Sequence, residues 1–107
     1  MQTASQQIGC VKAATEVLGD KWTPQLLRCF ANEEVVRFCQ LQDSVGGINP
    51  RTLSSRLSAL ESADIIVKTV LESSRRCEYR LTQKGYDLLP IIQDMQAWSE
   101  KYAPTAA

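Results

Sequence analysis

The sequence predicts a mainly α fold with a small β-hairpin, and three observations carry that prediction. Apolar residues recur at helical spacing through most of the chain, a two-residue period appears from Arg76 to Leu81, and Gly, Pro and cap residues cut these patterns into short elements. With 107 residues the chain has room for one domain of ordinary size, so residues 1–107 read as a single domain.

In chain order, Ile8, Val11 and Leu18 form one helical stripe over residues 7–18, and Cys10, Ala14 and Val17 form a second beside it. Two stripes imply two neighbours. Gly19 and Asp20 stop this helix, and Thr23 followed by Pro24 restarts one, with Thr as the cap and Leu26, Leu27 and Phe30 facing a core. Asn32, Glu33 and Glu34 make a turn before a short strand at residues 35–37; Phe38, Leu41 and Val45 then recur at helical spacing up to Gly46 and Gly47.

The stretch INPRTLSSRLSALESAD, residues 48–64, is the most informative. Asn49 caps a helix, Pro50 takes its first position, and Ile48 is placed to pack on Leu53. Leu53, Leu57 and Leu60 form the buried stripe. Steps of about 100° put Arg51, Ser55 and Ser58 opposite it, with Thr52, Ser54 and Ala59 alongside. A small, polar face with one cation at its start can approach a major groove, which long acidic side chains would prevent.

Asp64 tolerates the left-handed turn that ends this helix, and residues 65–71 are rich in β-branched side chains. A tip of Glu72, Ser73, Ser74 and Arg75 returns the chain into a strand in which Cys77, Tyr79 and Leu81 alternate with Arg76, Glu78 and Arg80. Thr82 caps a last helix carrying Tyr86, Leu89, Ile92, Met95, Trp98 and Tyr102, which Pro90 should kink or divide. The order of elements is that of a winged helix-turn-helix with additional N- and C-terminal helices.

Composition narrows the function classes. With 12 basic and 12 acidic residues the formal net charge is zero, but residues 37–84 hold eight basic groups against five acidic ones, an excess of three between acidic flanks. That distribution suits a polyanion-binding centre. The absence of His removes the commonest general base and metal ligand, and Cys10, Cys29, Cys39 and Cys77 contain no close pair in sequence, so neither a metal nor another cofactor is expected. The N-terminus MQTASQQIG has no basic region and no apolar run of signal-peptide length, so no membrane partner and a cytoplasmic location with reduced thiols are expected.

Five collinear blocks resemble the HxlR-type family of winged-helix regulators, relatives of the MarR group. They are the early Cys10, VLGDKWT at residues 17–23, Arg37 with Phe38, residues 48–61, and CEYRLTQKGYDLLP at residues 77–90. The resemblance implies a dimer that binds DNA. The chain departs from the family pattern at Gln40, Gln42 and Asp43, in a wing tip without proline, and at Val11, which follows Cys10 where Pro is common. Arg76 matches the family's wing arginine.

On this reading a homodimeric transcriptional regulator contacts double-stranded DNA through Arg51, Thr52, Ser54, Ser55, Arg75 and Arg76. Arg56, nearer the leucine stripe, is assigned either to phosphate or to an ion pair with a nearby acid such as Glu61. Ile8, Val11, Ile92, Met95, Trp98 and Tyr102 are assigned to the dimer interface. Trp22 and the thiols of Cys29, Cys39 and Cys77 read as packing groups. The family's early cysteine senses oxidants or electrophiles in several members, so Cys10 is the candidate redox-sensing thiol for a small-molecule or oxidant effector, with simple packing as its other reading. Two other classes remain: a winged-helix protein-interaction module without DNA binding, and a thiol enzyme, for which a chain without His lacks the usual activating base.

Overall fold

A computed structural model describes residues 4–73 and 76–103, with side chains described from residue 11 onward. The elements are α1 (Ala4–Leu18), α2 (Thr23–Arg28), β1 (Val36–Arg37), α3 (Phe38–Ser44), α4 (Pro50–Ser62), β2 (Ile66–Leu71), β3 (Arg76–Leu81), α5 (Gln83–Tyr86) and α6 (Leu89–Tyr102). The fold is helix-rich with a three-stranded antiparallel sheet, the winged helix-turn-helix arrangement. Strand order is β1-β3-β2, with Arg37 opposite Glu78 and Leu71 opposite Arg76. Among the described residues no helix is long and apolar enough to cross a membrane.

One hydrophobic cluster holds these elements together. Leu26, Leu27 and Phe30 enter it beside Leu41 and Val45 of the α3 region, the α4 leucines Leu53, Leu57 and Leu60, Ile65 and Ile66 from the start of the wing, and Tyr79 and Leu81 from β3. Burying each such side chain contributes about 1.5–3 kcal/mol, so this cluster outweighs every polar contact described below. Ile92 of α6 also belongs to it, at 4% exposure. Its assignment to a dimer interface is therefore corrected: Ile92 lies on the helix face that packs inward, and a side chain committed to the protomer core cannot also cover a partner.

Capping between α1 and α2 differs from the sequence expectation. Thr23 is buried inside α2 rather than preceding it, and the carboxylate of Asp20 accepts the backbone N–H groups of Trp22 and Thr23 at 2.9 and 3.0 Å. The side chain three residues upstream of Thr23 thus performs the capping. Elsewhere the expected caps are present: Asn49 Oδ1 accepts the Thr52 N–H at 2.8 Å, and Thr82 Oγ1 accepts the Gly85 N–H at 3.1 Å. Asp64 is left-handed, at φ 63°. The last helix is divided, α5 ending at Tyr86 and α6 starting with Pro90 in its first turn.

Where α4 gives way to the wing, residues 82–85 close over the exposed carbonyls of the turn. Lys84 Nζ donates to the Ala63 carbonyl at 2.9 Å, Thr82 Oγ1 donates to Asp64 O at 2.6 Å, and the Thr82 N–H donates to Ile65 O at 3.0 Å. Gly85 sits so close to the Ile65 carbonyl that a Cβ would overlap it. Only glycine permits this approach.

Asp20 carries a pH dependence. Partial burial pushes its carboxyl up, but the side-chain and backbone hydrogen bonds of Thr23, the Trp22 N–H and the Arg56 charge outweigh that effect and hold it below its ordinary value. A depressed native pKa stabilises the fold above the unfolded value of about 4, and that contribution is lost as pH falls through the native value. Asp20→Ala should therefore cost about 1 kcal/mol near neutral pH, with the gap from the parent narrowing below about pH 4 in urea titrations.

Candidate nucleic-acid interface

The helix-turn-helix comprises α3, a glycine turn and α4. Gly47 adopts φ +87°, which a side chain would strain, and this lets the chain reverse within two residues before Ile48 drops into the core. The Asn49 cap and Pro50 then start α4 at a fixed point. Because Leu53, Leu57 and Leu60 are buried, the opposite face is presented outward: Arg51, Ser54, Ser55, Ser58 and Ala59 are exposed and Thr52 is half-buried. Its side chains are short except for Arg51. Among the described residues no acid lies within ion-pairing distance of Arg51 or Arg76.

Arg56 is placed differently. Its guanidinium lies 3.9 Å from the Asp20 carboxylate, so the partner is the α1–α2 turn and not Glu61. A partly exposed pair at that distance contributes at most a fraction of a kcal/mol, yet it fixes where the side chain points. Asp20 thereby couples the cap of α2 to the middle of α4.

On the wing, Arg76 is exposed at the start of β3, and Arg75 lies outside the described residues. The register adds two cations that the sequence reading left out of the site. In an antiparallel sheet, alternate residues and their cross-strand partners share a face, so Arg76, Glu78 and Arg80 project to one side and Arg37, opposite Glu78, joins them. Arg80 pairs with Glu78 at 3.8 Å, which leaves Arg37 and Arg76 as the wing-root cations without an ion-pair partner among the described residues. The alternation Arg76, Glu78, Arg80 was the available sign; the position of Arg37 depends on long-range pairing.

The first helix of the motif starts with the Arg37 N–H donating to Gln40 Oε1 at 2.8 Å. Gln40, one of the departures from the family pattern, thus serves as a cap partner. Cys39 is exposed, which corrects the expectation of a buried small hydrophobe: it lies on the outer side of α3, away from Leu41. Cys29 and Cys77 are half-buried. Burial pushes the Cys29 thiol up, against the opposing effects of Ser44 and Arg28. No cluster of three or more metal-ligating side chains occurs among the described residues.

The assigned interface residues divide. Val11, Met95, Trp98 and Tyr102 are exposed, Trp98 at 64% and Tyr102 at 61%, and the two aromatic rings pack on each other at 5.3 Å between centroids. Ile91, at 41% exposure, extends the same apolar surface and was missed. The backbone of α1 includes Ile8 and Cys10, whose side chains lie outside those described.

Comparison with known proteins agrees with this geometry. The family pattern described as HxlR-like helix-turn-helix matches residues 17–107. An uncharacterised HTH-type transcriptional regulator of Halalkalibacterium halodurans is 33% identical over 86 residues, covering 79% of this chain and 76% of its own. The HTH-type transcriptional regulator YodB of Bacillus subtilis is 29% identical over 93 residues, 86% of this chain and 82% of YodB. Among solved structures, the redox regulator HypR in its oxidised form superposes with a TM-score of 0.82 at 28% identity, covering 89% of this chain and 98% of HypR. Quinone-bound YodB superposes with a TM-score of 0.72 at 28% identity, covering 86% of this chain and 96% of that one.

Proposed function

The chain belongs to the HxlR-like helix-turn-helix family of transcriptional regulators, and on that premise we propose that it acts as a homodimer binding operator DNA in a sequence-specific way. The observation that carries this reading is the outward face of α4, short and polar beyond Arg51, held next to a wing whose root bears Arg37 and Arg76. In this reading α4 enters a major groove, with Arg51, Thr52, Ser54 and Ser55 meeting base edges and phosphates. Arg75 and Arg76 reach the flanking backbone or minor groove. Arg56 is mainly a positioning residue through Asp20. The net charge of zero does not oppose this, because affinity follows the local cations rather than the total.

Dimerisation is assigned to α1 and α6, through Ile8 and Val11 with Met95, Trp98 and Tyr102. Supporting it are the contiguous exposed apolar residues of α6 and a radius of gyration of 15.5 Å, above the value of about 13 Å for a compact domain of this length. An oxidant or electrophile is the proposed effector class, in keeping with the oxidised HypR and quinone-bound YodB structures, and Cys10 is its proposed target.

For DNA selected from random duplexes, half-sites should lie about one helical turn, or a small multiple, apart. Arg51→Ala is expected to weaken specific binding by about 1–3 kcal/mol, whereas Arg76→Ala should weaken all sequences alike and lower the salt slope by about one. Unchanged affinity in both variants would reject this face.

Light scattering at micromolar concentration should return a dimer for the parent chain and a monomer for Trp98→Asp, a substitution at an exposed position that leaves the Ile92 core intact. A monomeric parent would overturn the assembly.

Mild oxidant or quinone should change the DNA affinity of the parent and not of Cys10→Ser; equal responses in the two would leave Cys10 as packing.

A further inference from the structure

A cavity of about 550 Å³ lies between the end of α2 with the turn that follows it, the end of α3, and the first half of α6. Small-molecule sites run from about 300 to 1,000 Å³, so the space is of ligand size. Its lining combines three kinds of group. Arg28 and Glu33 carry charge, Asn32 and Gln93 bring amides that both donate and accept, and Val45, Leu89 and Ile92 form an apolar side.

The two charges do not pair with each other, and among the described residues neither lies within ion-pairing distance of any opposite charge. Arg28 is nevertheless held in place. Its Nε donates to Gln96 Oε1 at 2.9 Å, and Gln96 Nε2 donates in turn to Glu100 at 3.1 Å. With Nε committed, the two terminal nitrogens remain for a ligand, and together they present the fork that matches a carboxylate. The charges then decide the ligand class. A simple anion would meet Glu33, a simple cation would meet Arg28, and a neutral apolar molecule would cover both groups without pairing either, which costs free energy. A molecule bearing both charges and an apolar body answers all three parts of the lining.

We propose that this cavity binds a zwitterionic α-amino acid with an apolar side chain, its carboxylate on Arg28, its ammonium on Glu33 and its side chain against Val45, Leu89 and Ile92. Binding is non-covalent and reversible. The same Arg28 and Gln96 also line a second, mainly apolar cavity of about 440 Å³ that reaches Met95 and Ser99, so the carboxylate lands where α2 is tied to the outer face of α6. Val45, on the other side of the ligand, immediately precedes the Gly46–Gly47 turn from which α4 starts. An occupied cavity therefore fixes α6 relative to the helix-turn-helix. That consequence, unlike the binding itself, rests on the DNA-binding and dimer reading above.

Calorimetric titration of the full chain with L-leucine, L-methionine and L-phenylalanine should find a Kd below about 1 mM for at least one of them. For whichever binds, the N-acetyl form, which lacks the ammonium, and the carboxamide, which lacks the carboxylate, should each bind at least about tenfold more weakly. Glu33→Gln should abolish the distinction between the free amino acid and its N-acetyl form, and Arg28→Gln the distinction between the free amino acid and its carboxamide. Glu33 lies in an exposed turn, so its replacement leaves the core untouched even if Arg28→Gln disturbs the packing of α2 on α6. No binding of any of the three at about 10 mM would overturn the site. Capped forms that bind as tightly as the free amino acid, or binding that both variants leave unchanged, would overturn it as well.

In a second arm, saturating amino acid should change the affinity of the parent chain for its selected duplex by about fivefold or more, the ordinary size of coupling between linked sites. Equal duplex affinity with the cavity filled would overturn the coupling. A chain that binds no duplex in either state would defeat the DNA-binding reading, while the titrations would still decide the site.

Discussion

The junction at Ala63, Asp64 and Ile65 governs the relation between α4 and the wing. A helix ends with carbonyls that nothing in the helix can satisfy, and here the chain leaves α4 through a left-handed Asp64 directly into a strand. Residues 82–85, arriving from the other end of the hairpin, take up those carbonyls through Thr82 and Lys84 and press Gly85 against Ile65. The end of α4, the base of both wing strands and the start of α5 are therefore one unit. The orientation of α4 relative to the wing is set by hydrogen bonds onto the backbone carbonyls there, and the leucine stripe then holds α4 down along its length.

The same economy governs α6, whose faces have separate duties. Ile92 packs into the protomer cluster, while Met95, Trp98 and Tyr102 stay exposed. Arg28 Nε donates to Gln96 Oε1 at 2.9 Å, tying α2 to the boundary between those faces. A helix divided in this way links the packing of the helix-turn-helix domain to whatever covers its outer side. Pro90, by breaking the chain into α5 and α6, frees the two pieces to take different directions.

Much of this was legible in the sequence because it depends on local chemistry. Asn49 with Pro50, the leucine spacing of α4, the alternation in β3, the left-handed Asp64 and the Thr82 cap are each set by residues a few positions apart, and each appears where the pattern puts it. What escaped was long-range or depended on facing. The Asp20–Arg56 pair joins distant segments, and the placement of Arg37 beside Arg76 follows from a strand of two residues whose partner cannot be read locally. Ile92 failed for a related reason, since an apolar stripe broad enough for two neighbours does not reveal which residue faces which, and Cys39 failed because residue type alone, off the Phe38, Leu41 and Val45 stripe, says nothing of facing. Thr23 preceding Pro24 has the form of a cap, but the helix starts a residue earlier, and Asp20 accepts charge-assisted hydrogen bonds from the Trp22 and Thr23 N–H groups that open it.

The order β1-β3-β2 leaves β2 with one outer edge that no described strand covers, and Val67 and Val70 are exposed along it. Such an edge is a template for aggregation, since its free N–H and C=O groups can recruit a strand from any neighbouring chain. Lys68 and the six-residue length of β2 are what stand against that here. A longer wing would present more surface beside α4, but each added residue would also lengthen the unpaired edge, so solubility sets a ceiling on how far a wing of this kind can extend.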